Sequence, residues 1–169
     1  SYETIIHKKV STDYNIVFAI PLGKKYIIWY TFHRNNDVCY LFELNKDKNI
    51  IKGTCITTNS DYSFSLGTIL YGTYLEEQKQ FIIEDIYYFK GISLKMLQLK
   101  DKMLIQKEMF SQINTIDYNK LQIHFYLPVF WKNNNTEDIT NKIPQEINNT
   151  LGYEVHHLQY RSLTKTIPY

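Results

Sequence analysis

Three consecutive aromatic residues stand beside a lysine near the middle of the chain, as Tyr87, Tyr88, Phe89 and Lys90. Rings with a polar tip and a neighbouring cation are side chains that suit a binding surface. The same rings favour a β-strand because they pack well on a pleated sheet, and composition alone favours a core strand. On this stretch by itself, both interpretations stay open.

Metal and covalent chemistry have little support in the sequence. The cysteines form no CxxC pair and the histidines lack the spacing of a zinc site, so we expect no metal and no cofactor. We expect both cysteines to be free, buried thiols in a reducing compartment. No GxxxxGK[ST], GxGxxG or GxSxG motif is present. The residues concerned are His7, His33, His124, His156, His157, Cys39 and Cys55.

Basic residues are the candidate phosphate ligands. The net charge of +2 is too small to predict nucleic-acid binding by itself. Of the 19 basic residues only Arg34 and Arg161 are arginines, and a guanidinium forks onto phosphate in a way that an ammonium does not. Each basic residue taken alone is more often an ordinary surface charge.

Length and composition predict one soluble domain that spans residues 1–169. The chain is 44% apolar and 21% charged, and its 15 Tyr, 9 Phe and 2 Trp are the unusual counts. No apolar run approaches the ~20 residues of a membrane span, so we expect a cytoplasmic protein without membrane contact. A start at Ser1 and an abrupt end at Pro168-Tyr169 are compatible with a fragment of a longer protein.

The elements that must position these residues are mostly strands. Ile69–Gly91 is predicted to be a hairpin, although its second strand contains the acidic pair Glu84-Asp85. A helix of about fifteen residues is expected after an N-cap at Ser93. Together with a second short helix these elements predict an α+β fold. The other predicted elements are strands at Asn15–Ile20, Lys24–Phe32, Val38–Leu44, Ile50–Thr57, Leu121–Phe130 and Tyr153–Tyr160, turns at His33–Asp37 and Asn59–Asp61, loops at Asn45–Asn49 and Trp131–Asn135, and a weakly helical connection at Thr136–Asn149 that contains Pro144.

The hairpin also resembles a known motif. Leu70–Leu75 followed by Phe81–Ile86 is similar to the third motif block of the nucleotidyltransferase superfamily of mRNA capping enzymes and polynucleotide ligases. The match is closer to the snurportin-type cap-binding domain, which has this fold without catalysis. Its characteristic segments resemble Ile20–Lys25, Asp85–Gly91 and Tyr153–Tyr160. The resemblance implies a nucleotidyltransferase-like, antiparallel β-rich sandwich.

Catalytic residues of that superfamily are replaced here. Its nucleophilic lysine lies in a Lys-x-Asp-Gly motif, and the corresponding position is Asn35, whose amide cannot form a covalent nucleotidyl adduct. The third-motif glutamate corresponds to Thr73, and the fourth-motif acid to His156-His157. Lys24 and Lys25 are the only lysines near enough in sequence to be rival nucleophiles. We therefore expect no enzymatic activity.

The resemblance implies instead a site for the methylated 5′ cap of mRNA. N7-methylguanine is cationic, and its attraction to a ring is worth about 0.5–2 kcal/mol, while base–aromatic stacking is worth about 1–3 kcal/mol per base. Phe89 or its neighbour Tyr88 is the expected first ring. Tyr2 is the expected second ring, with Trp29 and Trp131 as other candidates, although a ring in the middle of a strand, as Trp29 is, more often belongs to the core. The candidate cap-binding residues are Tyr2, Tyr88, Phe89, Trp131, Lys24, Lys25, Arg34, Asn35, Lys90 and Arg161.

The leading hypothesis is a non-catalytic domain that binds capped mRNA 5′ ends with an m7G or m3G cap, together with a protein partner of the translation or import machinery. The many Asn, Ile and Lys residues indicate an A/T-rich genome, and a large DNA virus acting in the host cytoplasm is the expected source. One alternative is a degenerate guanylyltransferase or ligase-type enzyme domain. Another is an interaction scaffold that kept the fold and lost the ligand.

Overall fold

A computed structural model describes residues 16–56, 62–113, 123–132 and 153–164. Contacts between Cα atoms divide the chain into two compact units. More than half of the described residues lie in strands, and the same residues include one main helix. The fold is therefore α+β, as the sequence predicts. Among described residues, the larger unit comprises 23–56, 62–97, 101–113 and 123–127, and the smaller unit 16–22, 98–100, 128–132 and 153–164.

The elements are numbered in chain order. The strands are β1 (Ile16–Pro21), β2 (Lys25–His33), β3 (Asn36–Leu44), β4 (Ile50–Ile56), β5 (Thr68–Leu75), β6 (Gln80–Phe89), β7 (Ile92–Ser93), β8 (His124–Tyr126), β9 (Phe130–Lys132) and β10 (Val155–Arg161), with helix α1 at Leu99–Ile113 and a short 3-10 helix at Tyr62–Leu66.

The larger unit is organised around a seven-stranded sheet with the order β4-β3-β2-β5-β6-β7. Neighbours along this order pair antiparallel, and β8 adds a short parallel pair at the start of β6. The predicted hairpin is confirmed as β5 and β6. No helix in the described part of the chain is long and apolar enough to cross a membrane.

One face of this sheet, which we call the core face, carries Tyr26, Ile28 and Tyr30 of β2, all of them buried. Side chains alternate between the two faces of a strand, so every second residue of β2 points into this core. The core face packs against Phe64 of the 3-10 helix and Met109 of α1. Burial of these side chains is the main stabilising contribution to the larger unit.

The smaller unit contains a three-stranded sheet with β1 in the centre and β10 and β9 on either side. Val17 and Ala19 of β1 are fully buried. The Tyr153 hydroxyl donates a hydrogen bond to the Ala19 carbonyl at 3.1 Å and accepts one from the Val129 amide at 3.2 Å. A buried tyrosine thus links the chain next to β9 to the central strand.

Two predicted elements have other bounds. The helix has the expected fifteen residues, but it begins at Leu99, because Ser93 belongs to β7 and its hydroxyl accepts a 3.4 Å hydrogen bond from Lys95 instead of capping α1. The strand predicted at Leu121–Phe130 is split into β8 and β9. Pro128 lies between them, and it has no amide hydrogen to donate to a sheet.

The predicted polar turn at His33–Asp37 is tighter than expected. His33 pairs with Asn36, so the turn consists of Arg34 and Asn35 alone. Both have positive φ angles, of 50° and 64°, as the two-residue turn that matches strand twist requires. The turn predicted at 59–61, the helical connection at 136–149 and the second short helix lie outside the described residues.

The two cysteines have different surroundings. Both are free thiols; Cys39 is buried and Cys55 is exposed, so the expectation of two buried thiols is wrong for Cys55. Burial, followed by the nearby Cys55, raises the pKa of the Cys39 thiol. Native Cys39 is therefore the less reactive of the two thiols.

At Gly72 of β5 the backbone of β6 occupies the space that a side chain would need. A Cβ atom placed on Gly72 would lie 2.0 Å from the carbonyl oxygen of Ile82, a backbone atom that cannot move without disturbing β6. Only glycine fits this approach.

Substitution of Gly72 by alanine is expected to destabilise the protein by about 3 kcal/mol or more, because the added methyl group forces β5 and β6 apart. Urea unfolding followed by circular dichroism measures this loss. Gly53→Ala is the matched control, since a Cβ atom there meets only the side-chain ring of Phe42, at 3.0 Å, and no backbone atom; it should cost less than about 1 kcal/mol. Equal stability of the two variants would contradict the assignment.

Candidate functional site

The second face of the seven-stranded sheet, which we call the open face, is rich in aromatic residues. It carries Lys25, Ile27 and Trp29 of β2, which alternate with the buried residues of the core face. Its side chains are mostly half-buried or exposed, and Trp29 is 37% exposed. The expectation that Trp29 lies in the core is wrong. Side chains alternate along β2, and Trp29 belongs to the set that points away from the core face.

Three rings on the open face form one cluster. Trp29 of β2 contacts Tyr40 and Phe42 of β3, with ring centroids 5.7 and 6.5 Å apart. Tyr40 and Phe42 are themselves stacked, with centroids 5.7 Å apart and an interplanar angle of 13°. Mutual support of this kind holds each ring in one orientation, which lowers the entropy cost of binding a planar ligand.

A second aromatic pair lies on β5 and β6. Tyr71 stacks on Tyr87 with centroids 5.9 Å apart and an interplanar angle of 27°. The ammonium of Lys48, from the β3–β4 loop, lies 5.0 Å from the centroid of the Tyr71 ring. Tyr71 is only 8% exposed, so this part of the open face combines a covered ring with the cation that lies over it.

Trp29 and Tyr88 lie on either side of Ile69, at the same position along the strands. Both pair with Ile69 of β5, one from each side, so their side chains leave the same face, and Tyr88 is 42% exposed. Two strand spacings separate their backbones by about 10 Å. A planar base needs about 3.5 Å on each side to contact two rings. The two backbones are thus far enough apart for a base to contact one ring on each strand.

An ion pair lies at the other end of the open face. The Lys25 ammonium donates hydrogen bonds to the Thr73 hydroxyl at 2.6 Å and to the Glu84 carboxylate at 2.9 Å. Thr73 in turn donates to Glu84 at 2.6 Å. The side chains of Lys25 and Glu84 are 26% and 8% exposed. Thr73, the residue that the resemblance aligns with the third-motif glutamate, is thus part of a closed network across β2, β5 and β6.

The acidic pair on β6 has separate partners because β6 is bulged. The β5–β6 register skips Glu84, and it skips Tyr87 as well; each bulge inserts an extra residue that re-aims the side chains around it. Asp85 accepts a 2.9 Å hydrogen bond from Lys102 of α1, whose side chain is 9% exposed. Each acid of the pair therefore holds a lysine.

The expected first stacking ring, Phe89, belongs to the core. It is 8% exposed and packs edge-on against Phe64 with centroids 5.8 Å apart. Lys90 lies over both rings, 5.2 Å from the centroid of Phe89 and 5.7 Å from that of Phe64. A ring covered in this way has no free face for a base, so Phe89 is corrected to a core residue, and the alternative ring, Tyr88, is the exposed one.

The remaining candidates of the larger unit are divided between the two ends of the sheet. Lys24 and Lys25 lie at the start of β2, and Arg34 and Asn35 lie, exposed, at the β2–β3 turn. β2 has nine residues, which separate its ends by about 26 Å. One nucleotide cannot contact both groups. Lys24 also pairs with Glu43 at 3.3 Å, with 68% of its own side chain exposed.

Three candidates lie outside the larger unit. Tyr2 is outside the described residues. Trp131 lies in β9 rather than in a loop, with its backbone opposite Val17. Arg161 lies in β10 and is 5% exposed, and its guanidinium donates a 3.4 Å hydrogen bond to Gln159. Burial makes Arg161 a poor first contact for a phosphate.

Lys48, Tyr40 and Phe42 were not predicted as site residues from the sequence. Lys48 was placed in a loop, and Tyr40 and Phe42 were placed in a strand. The signal that could have found them is the alternation of β2 and β3, which puts Trp29, Tyr40 and Phe42 in one phase. In the described part of the chain no group of three or more His, Cys, Asp or Glu side chains is arranged to hold a metal ion.

No protein-family model matches the chain, and no curated protein matches it at a significant level.

The Lys25–Glu84 pair should be energetically coupled. Because both charges are largely shielded from water, Glu84→Gln alone and Lys25→Met alone should each destabilise the protein by about 1–3 kcal/mol, and the double variant by less than the sum. Urea unfolding of the four proteins gives the coupling energy, for which we expect about 1–2 kcal/mol.

The matched control is the exposed pair formed by Lys24 and Glu43, for which the same cycle should give less than about 0.5 kcal/mol. Strictly additive effects at Lys25 and Glu84 would show that the pair contributes nothing to the fold.

Proposed function

We propose that this domain binds the methylated 5′ cap of mRNA without catalysis, and that the cap base stacks on the open face. The observation that carries the proposal is the row of Trp29, Ile69 and Tyr88, in which two exposed rings flank an aliphatic floor. Methylation at N7 gives guanine a positive charge, which is attracted to electron-rich ring faces. Unmethylated guanine lacks this term.

The cap triphosphate has cations within reach along the same face. Tyr71 follows Ile69 by two residues on β5, and Lys48 lies 5.0 Å from the Tyr71 ring centroid. A triphosphate that leaves the Trp29–Tyr88 row along β5 would pass this ammonium and then meet Lys25. Because Glu84 neutralises Lys25, Lys48 is the stronger phosphate ligand in this proposal.

The Lys25 network also supports the absence of catalysis. A nucleophilic lysine must offer a free electron pair to the α-phosphate. The Lys25 ammonium instead donates to Glu84 and Thr73. Incubation with labelled GTP or ATP and magnesium should leave no adduct that survives denaturation; such an adduct on Lys25 would establish the alternative, a degenerate nucleotidyltransferase.

Isothermal titration calorimetry with 7-methyl-GTP and with GTP tests the ligand. We expect the methylated nucleotide to bind about 2- to 30-fold more tightly, which corresponds to the cation–π contribution.

Tyr88→Ala should lose about 1–3 kcal/mol of affinity for 7-methyl-GTP, because one stacking surface is removed. Trp29→Ala should lose a similar amount, with circular dichroism as the check on its fold.

Phe32→Ala is the matched control. Phe32 is a ring of the same strand as Trp29, is 46% exposed, and lies in the phase of the core face, so its loss should leave the affinity unchanged. Equal affinity for both nucleotides would eliminate cap binding. A loss at Phe32 as large as that at Tyr88 would move the site off the open face.

A further inference from the structure

His156 and His157 are consecutive residues of β10 whose rings are in contact. In a regular strand, consecutive side chains point to opposite faces of the sheet. The pairing of β10 with β1 is irregular at this point: Ile20 pairs with His157 and Pro21 pairs with Val155, so that His156 is an extra residue. A bulge of this kind re-aims the side chains around it. It brings together two imidazoles that regular pairing would keep apart.

The two rings meet through the same ring nitrogen. Nδ1 of His156 lies 2.7 Å from Nδ1 of His157, and the interplanar angle is 86°. Between two neutral imidazoles such a contact is a hydrogen bond in which one Nδ1 carries the proton and the other accepts it. The Nε2 atom of His157 is buried, whereas the side chain of His156 is exposed. Nδ1 is therefore the nitrogen of His157 that can reach a ligand, and it lies beside an exposed ring.

The spacing of the two nitrogens selects among metal ions. An imidazole nitrogen binds such an ion at about 2.0–2.1 Å. Two of these nitrogens are about 2.9 Å apart when they bind at right angles, as in the tetragonal sites of Cu²⁺ and Ni²⁺, and about 3.3 Å apart at the tetrahedral angle of Zn²⁺. The observed separation of 2.7 Å is closer to the first value. Imidazole suits all three ions, and Cu²⁺ generally has the highest affinity for a given site.

We infer that His156 and His157 chelate a tetragonal divalent ion, preferentially Cu²⁺, through both Nδ1 atoms. The proton between the two rings moves from Nδ1 to Nε2 of the ring that carried it, so both imidazoles bind as neutral ligands. Each ring turns so that its Nδ1 lone pair points at the ion, and the exposure of His156 allows this. Two protein ligands are fewer than the three or four of a zinc site, so water completes the coordination.

Calorimetric titration of the full chain with Cu²⁺, Ni²⁺ and Zn²⁺ tests the site. Cys55 is exposed, and a thiolate is itself a metal ligand, so every protein in the series carries Cys55→Ser. We expect the affinity to fall in the order Cu²⁺, Ni²⁺, Zn²⁺. His156→Ala and His157→Ala should each weaken Cu²⁺ binding by at least about 10- to 100-fold, since this loss is typical even of residues that only support a ligand.

His124→Ala is the matched control. His124 is an exposed histidine of β8 in the other sheet, so its loss should leave the affinity for Cu²⁺ unchanged. Circular dichroism checks that all variants are folded. Absence of Cu²⁺ binding by the parent chain, or a loss at His124 as large as that at His156, would overturn the inference. Tighter binding of Zn²⁺ than of Ni²⁺ would overturn the right-angle arrangement.

A shifted pair tests the role of the bulge. The double variant His156→Ala with Leu158→His keeps two consecutive histidines, at 157 and 158, but these positions pair regularly with Ile20 and Ala19. Their side chains then point to opposite faces, so tight Cu²⁺ binding should not return. Binding as tight as that of the parent chain would show that any two consecutive histidines suffice.

Electron paramagnetic resonance of the Cu²⁺-loaded chain counts the nitrogen ligands. The parent chain should show coupling of the copper electron to two imidazole nitrogens, and His157→Ala should show coupling to one. A single coupled nitrogen in the parent chain would overturn chelation by the pair.

Discussion

The irregular pairing of β5 with β6 is the constraint that decides which side chains reach each face of the sheet in the larger unit. β6 carries two extra residues relative to β5, at Glu84 and at Tyr87. Each bulge resets the alternation, which is why Ile83, Ile86 and Phe89 all reach the core although they are three residues apart. The same two bulges turn Glu84 toward Lys25 and leave Tyr87 and Tyr88 on the open face.

The coarse fold could be predicted from the sequence because hydrophobic alternation and turn residues report strands directly. β1 to β6 lie where Pro21, Gly23 and the polar turns indicate. The start of α1 was misplaced because Ser93 has a good N-cap side chain but is held in β7 by pairing with Tyr88, a tertiary contact that local sequence does not report.

The candidate site was predicted less well, for a related reason. The sequence located the aromatic end of β6, but the choice between Tyr88 and Phe89 depends on a bulge, and bulges leave no regular pattern in the sequence. Trp29 was assigned to the core because large rings in mid-strand are usually buried. Lys48 reaches Tyr71 from a loop that is distant in sequence, and no local signal connects them.

The open face combines features that suit a ligand with charges of both signs. Supported rings favour a cationic base, Lys48 favours phosphate, and the Lys25–Glu84 pair is electrically almost neutral. These features come from separate contacts, yet all of them lie on one side of one sheet, so a single surface carries the proposed chemistry.

Backbone NMR shifts on addition of 7-methyl-GTP test this assignment most directly. The perturbed amides should belong to residues 27–31, 69–73 and 85–88 and to the loop at 45–49. Perturbations confined to α1 or to the three-stranded sheet, with none along β2 and β5, would contradict it.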